Sequence, residues 1–157
     1  MVAYPLPAAS TLAAPVTVTG VTAKTPLLSG LSIPASTLAA GQLYKAEAWG
    51  VLTTAAITDA YTLELDYGAT DVMDFGAQVV SGSLQTGVRW NMSLTLEMMS
   101  ATLARCWGWD GLAFFFSAQN GKETTLNALA TIFSLQVTPN NVAASLTCNG
   151  AFIRREA

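Results

Sequence analysis

Apolar and polar residues alternate with a period of two over much of the chain. In residues 61–67 and 90–98, every second residue is apolar, and the residues between them are Thr, Glu, Asp, Asn or Ser. The alternation continues in residues 133–138 and 146–152. In the last of these, the side predicted to be buried carries Leu146, Cys148, Gly150 and Phe152. A period of two is typical of a strand with one buried face, so the pattern predicts strands.

Turn-forming residues separate these runs. Gly41, Gly68 and the segment PNN at residues 139–141 favour turns. Asn120-Gly121 is the strongest hairpin signal, because this dipeptide fits a two-residue turn between antiparallel strands. About eight strands with no helix between them predict an all-β fold, a jelly-roll-like antiparallel β-sandwich.

The first 25 residues differ from the rest of the chain. Three prolines exclude a helix interior, and residues 16–19 alternate in the manner of an edge strand. We therefore expect an extended N-terminal arm over residues 1–25 and one jelly-roll domain over residues 26–157. Such an arm is either disordered or laid on a neighbouring subunit. Its candidate contacts are Tyr4, Pro5, Leu6 and Pro7.

Composition adds that much of the surface is expected to be covered. The chain is 52% hydrophobic and only 11% charged, with a net charge of −3, whereas soluble domains average about 25% charged residues. A surface so poor in charge favours association with other chains. Because the only basic cluster is Arg154-Arg155, a nucleic-acid partner is not expected. Apolar stretches shorter than about 20 residues predict no membrane span.

No motif for catalysis is present. The chain has no histidine, which excludes histidine-based triads and zinc sites, and it matches no phosphate-binding or nucleophile motif. We therefore expect no enzyme, no cofactor and no catalytic residue. Asp66, Asp71 and Asp74 suggest calcium, but their spacing misses the EF-hand loop, so a solvated corner is favoured and no metal is expected.

The two cysteines leave two alternatives. Cys106 and Cys148 are too few for a disulfide framework and have no CxxC spacing. They are either two buried thiols or one bridge between neighbouring strands.

The stretch CWGWDGLAFFF, residues 106–116, is the most aromatic part of the chain. Trp107 and Trp109 share one face of a regular strand, and with Asp110 as a hydroxyl acceptor they form a candidate sugar-stacking platform. The alternative is a core strand that continues into a subunit interface. Because interfaces are enriched in aromatic residues, core or interface is the favoured interpretation.

The segment IPASTLAAGQLYKAEAWG, residues 33–50, carries the most distinctive pattern. It resembles a corner found in jelly-roll virion proteins of tailed bacteriophages, where a strand ends in "L-x-I-P-A", a glycine turn follows, and the next strand ends in "A-x-G". The matching residues are Leu31, Ile33, Pro34, Ala35, Thr37, Leu38, Gly41, Ala48 and Gly50.

This resemblance implies a capsid decoration (cement) protein that binds the outer capsid surface as a homotrimer and stabilises contacts between major capsid protein subunits. It also implies a location on the virion, with assembly in the host cytoplasm. The alternative is a glycan- or receptor-binding jelly-roll domain of a phage head or tail fibre. The chain lacks a long fibrous shaft, which favours decoration over a fibre.

Overall fold

The fold is built from strands throughout the part of the chain that can be described. The structure is a computed structural model that describes residues 10–11, 14–32, 38–79, 84–112, 115–126 and 132–156. The strands within these residues are β1 Ser10–Thr11, β2 Val16–Thr19, β3 Thr25–Ser32, β4 Leu43–Thr53, β5 Ala60–Tyr67, β6 Thr70–Val79, β7 Val88–Met98, β8 Leu103–Leu112, β9 Phe115–Thr125, β10 Ile132–Pro139 and β11 Ser145–Arg155.

The strands form two antiparallel sheets with jelly-roll topology. The larger sheet has the order β1-β11-β4-β7-β8-β9, with β2 also paired to β11, and the smaller sheet has the order β3-β10-β5-β6. Strands counted inward from the two ends pair with each other: β2 with β11, β3 with β10, β4 with β7, and β5 with β6. This nested pairing of eight strands is that of a jelly roll, as the sequence predicts.

The hairpin β8–β9 is an addition to the eight jelly-roll strands. It follows β7 and extends the larger sheet by two strands. The dipeptide Asn120-Gly121 predicts a hairpin turn, and this prediction is wrong. Both residues lie inside β9, beside a register shift in the pairing of β8 with β9. Glycine suits a bulge as well as a turn, so the dipeptide alone does not distinguish the two.

The two sheets enclose one apolar core. Inward-facing residues of β5 and β7, such as Leu63, Leu65, Leu94 and Leu96, are almost completely buried, which confirms the alternation found in the sequence. The prediction fails within β11. A register shift between Cys148 and Gly150 makes Asn149 an extra residue, so Ala151 and Ile153 are buried while Phe152 is only partly covered.

The close neighbours of Gly50 explain why the last residue of the segment at residues 33–50 is a glycine. The sequence pattern suggests close approach of the second sheet at Ala46, Ala48 and Gly50. At Gly50 the close neighbours belong to the same sheet instead. A Cβ atom there would overlap the Thr147 carbonyl oxygen and would lie 2.8 Å from Trp90 Nε1. The Trp90 indole crosses above Gly50 and donates a hydrogen bond of 3.0 Å to that carbonyl.

Part of the expected arm is a strand of the sandwich. β2 pairs with β11 from Thr19↔Ser145 to Val16↔Cys148, and Val18 is buried. Thr17 Oγ1 lies 2.8 Å from Thr147 Oγ1 across this pairing. The alternation of residues 16–19 therefore marks an edge strand, as predicted, and the strand lies on the chain's own sheet.

The two cysteines are buried thiols that form no disulfide. Cys106 is on β8 and Cys148 is on β11, with β4 and β7 between them. Three strand spacings amount to about 14 Å, whereas a disulfide needs Cα atoms within about 7 Å. Of the two alternatives, the structure selects the pair of buried thiols.

Candidate functional site

The structure separates the three residues of the aromatic candidate site. Trp107 and Trp109 lie on the solvent-facing side of β8 and are partly exposed. Asp110 points the other way and is completely buried. It pairs with Met92 across β7–β8, on the same inward face as Cys106. Asp110 therefore does not join the two tryptophans on the surface.

Asp110 links the two sheets instead. Its carboxylate accepts a hydrogen bond from the side-chain amide of Gln78, which is on β6 in the smaller sheet. A buried carboxylate is costly unless it is hydrogen-bonded, so this contact has a structural explanation. A role for Trp107 and Trp109 in an interface or in glycan binding stays a prediction.

The candidate arm contacts Tyr4, Pro5, Leu6 and Pro7 lie outside the described residues.

A different surface emerges at one end of the sandwich, which we call the loop end. It consists of the connections β2–β3, β4–β5, β6–β7 and β10–β11. Backbone hydrogen bonds join them: Gly20 N donates to Val142 O at 2.9 Å, and Thr54 N donates to Gln85 O at 2.9 Å. Gln85 N donates in return to Thr54 Oγ1 at 2.8 Å.

The side chain of Asp59 joins two connections of the loop end. Its carboxylate is buried and accepts hydrogen bonds from Ala55 N at 2.6 Å, Ala56 N at 3.0 Å and Asn141 Nδ2 at 2.8 Å. Burial alone would raise the pKa of Asp59, but these hydrogen bonds outweigh it, so the pKa lies below its ordinary value. The side chain of Asp59 thus stays ionised and fixes β4–β5 to β10–β11.

Two further side chains brace the same loops. Asn140 Nδ2 donates to Thr58 O at 3.0 Å, and Asn140 Oδ1 accepts from Ala60 N at 2.8 Å. The hydroxyl of Tyr61 donates to Thr53 O at 2.9 Å. Burial, together with the nearby charge of Asp59, raises the pKa of Tyr61. The loop end is therefore held in one shape by polar contacts that are exposed or only partly buried, around the buried carboxylate of Asp59.

Exposed apolar side chains concentrate on this rigid end. Of the seven exposed large hydrophobic residues in the described part, four lie at this end: Ile57, Leu84 and Val142 in the connections, and Val79 as the last residue of β6, each more than half exposed. The four connections contain two charged residues, the buried Asp59 and Lys24 of β2–β3, whose ammonium group is paired with Asp66 and Glu64. An apolar surface with so few charges is typical of a site that contacts another protein.

Sequence reasoning missed this surface. Ile57, Leu84 and Val142 each stand alone in a polar turn, and no local pattern relates them. Only the order of the strands brings the connections together at one end. The turn residues Asp59, Asn140 and Asn141 were a signal, because Asp and Asn side chains commonly bond to nearby backbone groups.

Asp66, one of the three carboxylates considered above for calcium binding, forms an ion pair with Lys24. Lys24 Nζ lies 3.1 Å from Asp66 Oδ1 and 3.2 Å from Glu64 Oε1. Burial alone would lower the pKa of Lys24, but the two carboxylates raise it above its ordinary value. Across the part of the chain that the structure describes, no group of three acidic or cysteine residues is placed to hold a metal ion. The same part contains no helix long and apolar enough to cross a membrane.

Comparison with known proteins gives little further information. A scan against protein-family models found no match, and a search of curated proteins found none. A search of solved structures found the VP2 subviral particle of infectious bursal disease virus, at 11% sequence identity and a TM-score of 0.40. The alignment covers 94% of this chain and 32% of the VP2 chain. A likeness at this TM-score carries no argument about function, and the jelly-roll assignment rests on the strand pairing.

Proposed function

We propose that this chain is a structural protein of a virus particle, specifically a decoration (cement) protein. In this proposal it binds the outer capsid surface as a homotrimer and bridges neighbouring major capsid protein subunits, with no catalytic role. The resemblance of residues 31–50 to jelly-roll virion proteins of tailed bacteriophages supports it. The observation that carries it is the loop end, a rigid apolar surface almost free of charge.

The mechanism is mechanical. Ile57, Leu84 and Val142 would be buried against the capsid, with each square ångström of apolar surface contributing about 25 cal/mol. Because Asp59 and Asn140 already fix the loops, little conformational entropy is lost on binding. Three copies in a trimer would add avidity to a contact that is weak when made once.

Light scattering of the purified chain tests the homotrimer. We expect a mass three times the chain's 16.4 kDa that does not fall on dilution. A monomer at all concentrations would contradict the trimer and would leave the low surface charge without an explanation.

Co-sedimentation with capsids made without this chain tests the loop end. Ile57→Ser combined with Val142→Ser should reduce binding about tenfold or more, in line with the loss of central apolar contacts. The matched control is Met99→Ser, which changes an exposed apolar residue between β7 and β8 at the opposite end. An equal loss of capsid binding in both variants, or no loss in the first, would exclude the loop end as the surface that contacts the capsid.

Glycan binding is the second candidate function. Trp107 and Trp109 favour it, since both are partly exposed on one face of β8. Saccharide binding that disappears in Trp109→Ala would support this function, and unchanged binding in that variant would count against the β8 pair.

A further inference from the structure

Trp49 is more exposed than Trp107 or Trp109 in the same sheet. It is on β4, faces solvent, and keeps 46% of its surface exposed, while its neighbours Ala48 and Gly50 face the core. A tryptophan nearly half exposed in the middle of a sheet gives up apolar burial that an inward position would provide. This cost requires either a partner or a reason to hold the ring in place.

The indole of Trp49 is held in a fixed orientation. A Cβ atom at Gly150, its partner on β11, would overlap Trp49 Cζ2 and would lie 2.6 Å from Cε2, so the ring lies directly against the Gly150 backbone. Phe152 packs edge-on against it, with ring centroids 6.4 Å apart and planes at 63°. The Arg154 guanidinium covers the Phe152 ring at 5.1 Å. Trp49 is thus pre-organised without being buried.

Charged side chains lie farther along this face, toward the Leu43 end of β4, and they are paired with one another. Lys45 Nζ lies 2.5 Å from Glu47 Oε1, and Arg154 Nε lies 2.5 Å from Glu156 Oε1. The exposed Asn91 is the partner of Trp49 on β7. Fully buried centres of protein–protein interfaces are depleted in Lys and Glu, so a protein partner that covered Trp49 and extended along β4 would have to bury these charge pairs. They suit a neutral ligand that needs hydrogen-bond donors and acceptors beside an apolar ring face.

Trp109 provides a second aromatic position on the same face. Trp49 pairs with Asn91, Ser93 pairs with Trp109, and β7 lies between the two tryptophans. Two strand spacings and an offset of two residues place their Cα atoms about 12 Å apart. A ligand that contacts both rings must therefore be extended and must cross Asn91 and Ser93.

We infer that the solvent-facing side of β4, β7 and β8 binds an uncharged oligosaccharide, with one sugar ring stacked on Trp49 and a later ring reaching Trp109. A pyranose has an apolar C–H face that packs against an indole and hydroxyl groups that bond to amide and carboxylate side chains. Asn91 and Glu47 supply those groups on either side of Trp49. This surface is separate from the loop end, so binding here does not depend on capsid attachment.

The test is an array of bacterial surface oligosaccharides probed with the full chain, followed by calorimetric titration of the best neutral ligand. Trp49→Ala should weaken binding at least about tenfold, as expected for a central aromatic contact. Trp49→Phe should recover part of the affinity. Ile57→Ala, an exposed apolar residue at the loop end, is the matched control and should leave the dissociation constant within about twofold. Thermal melting of each variant checks that the fold is kept.

Three outcomes would overturn the inference: no binding to any neutral oligosaccharide on the array, binding unchanged in Trp49→Ala, or a fall in light-scattering mass in that variant, which would assign the surface to a second copy. Capsid co-sedimentation of Trp49→Ala separates this inference from the proposed function. The variant should bind capsids normally, and a loss of glycan binding alone would leave the decoration role standing.

Discussion

Gly50 shows how one residue without a side chain permits a contact between three strands. The Trp90 indole passes over it from β7 to reach the Thr147 carbonyl on β11. We predict that Gly50→Ala destabilises the fold by at least about 3 kcal/mol, because the new methyl group overpacks this crossing and displaces the hydrogen bond. Urea unfolding at neutral pH measures the change.

Gly20→Ala is the matched control for this prediction. A methyl group added at Gly20 would meet no atom within 4 Å, but the φ of this residue is +77°. Its substitution should therefore cost only the strain of the left-handed backbone, about 1–2 kcal/mol. Gly50 has no left-handed φ, so a cost no greater than that of Gly20→Ala would show that the crossing above Gly50 tolerates a methyl group.

Asp59 carries a second prediction at the scale of a residue. Its removal in Asp59→Ala leaves three donors without their acceptor and should cost about 3 kcal/mol at pH 7. The pKa of Asp59 is lowered in the folded chain, so its contribution is present above the ordinary carboxyl pKa and is lost as the pH falls through the lower folded value. Denaturant curves should therefore converge for the two proteins in acid. A constant difference down to about pH 2 would contradict this linkage.

The residue scale is also where sequence reasoning failed, and the causes are physical. Phe152 was expected to be buried, but the extra residue Asn149 moves every later side chain of β11 to the other face. Asp110 was grouped with Trp107 and Trp109, although the strand period already places adjacent residues on opposite faces. The alternation of apolar and polar residues does not reveal where a bulge occurs. The placement of Asp110 on the opposite face from Trp107 and Trp109, in contrast, could have been predicted from the strand period.

At the scale of the strands, the pairing of β2 with β11 limits how far the N-terminus can be shortened without loss of stability. A chain that begins at residue 10 keeps every described strand. We predict that it melts within a few degrees of the full chain. A chain that begins at residue 21 loses β1 and β2, together with the burial of Val18, and should be about 2–4 kcal/mol less stable. Circular dichroism melts of the two truncations measure the difference.

The longer truncation should also aggregate. Without β2, the backbone of residues 145–148 on β11 has an unpaired edge, which can pair with another chain. Light scattering on heating would detect this, and equal behaviour of both truncations would show that β1 and β2 contribute nothing to the stability of the sheet.

For the larger elements, the sequence was most informative where side chains alternate and least informative at connections. The runs at residues 61–67 and 90–98 became β5 and β7 with the expected inward faces. The Asn120-Gly121 signal failed because a local dipeptide does not report which strand lies opposite. The actual connection of β8 to β9 falls between Leu112 and Phe115.

The topology of the whole molecule lies beyond local patterns. Strand number and spacing predict a sandwich, and the jelly roll follows because the nested pairs enclose a single core. Which strands become neighbours depends on long-range pairing. Only that pairing joins the β4–β5 connection, which carries Ile57, to the β10–β11 connection, which carries Val142. It also places Trp49 and Trp109 on the two strands that flank β7. Both candidate surfaces therefore emerge at the level of the sheet.

The rate at which the two buried thiols are chemically modified should depend on unfolding of the core. Cys106 and Cys148 are buried on strands separated by β4 and β7, so neither can react without opening of the larger sheet. We expect both to be modified by a thiol reagent at one common rate, equal to that of global unfolding. Urea-denatured protein, in which both react at once, is the control.

The pH dependence of this labelling distinguishes its route. Burial raises the pKa of Cys148 to about 11 in the folded chain, whereas an unfolded cysteine has an ordinary pKa of about 8.5. Because the thiolate is the reactive form, labelling through unfolding should level off above about pH 9. Direct attack on folded Cys148 would keep accelerating toward its raised pKa. Peptide mapping of the modified sites at several pH values measures this, and early modification of Cys148 alone would show that the β11 edge opens independently of the core.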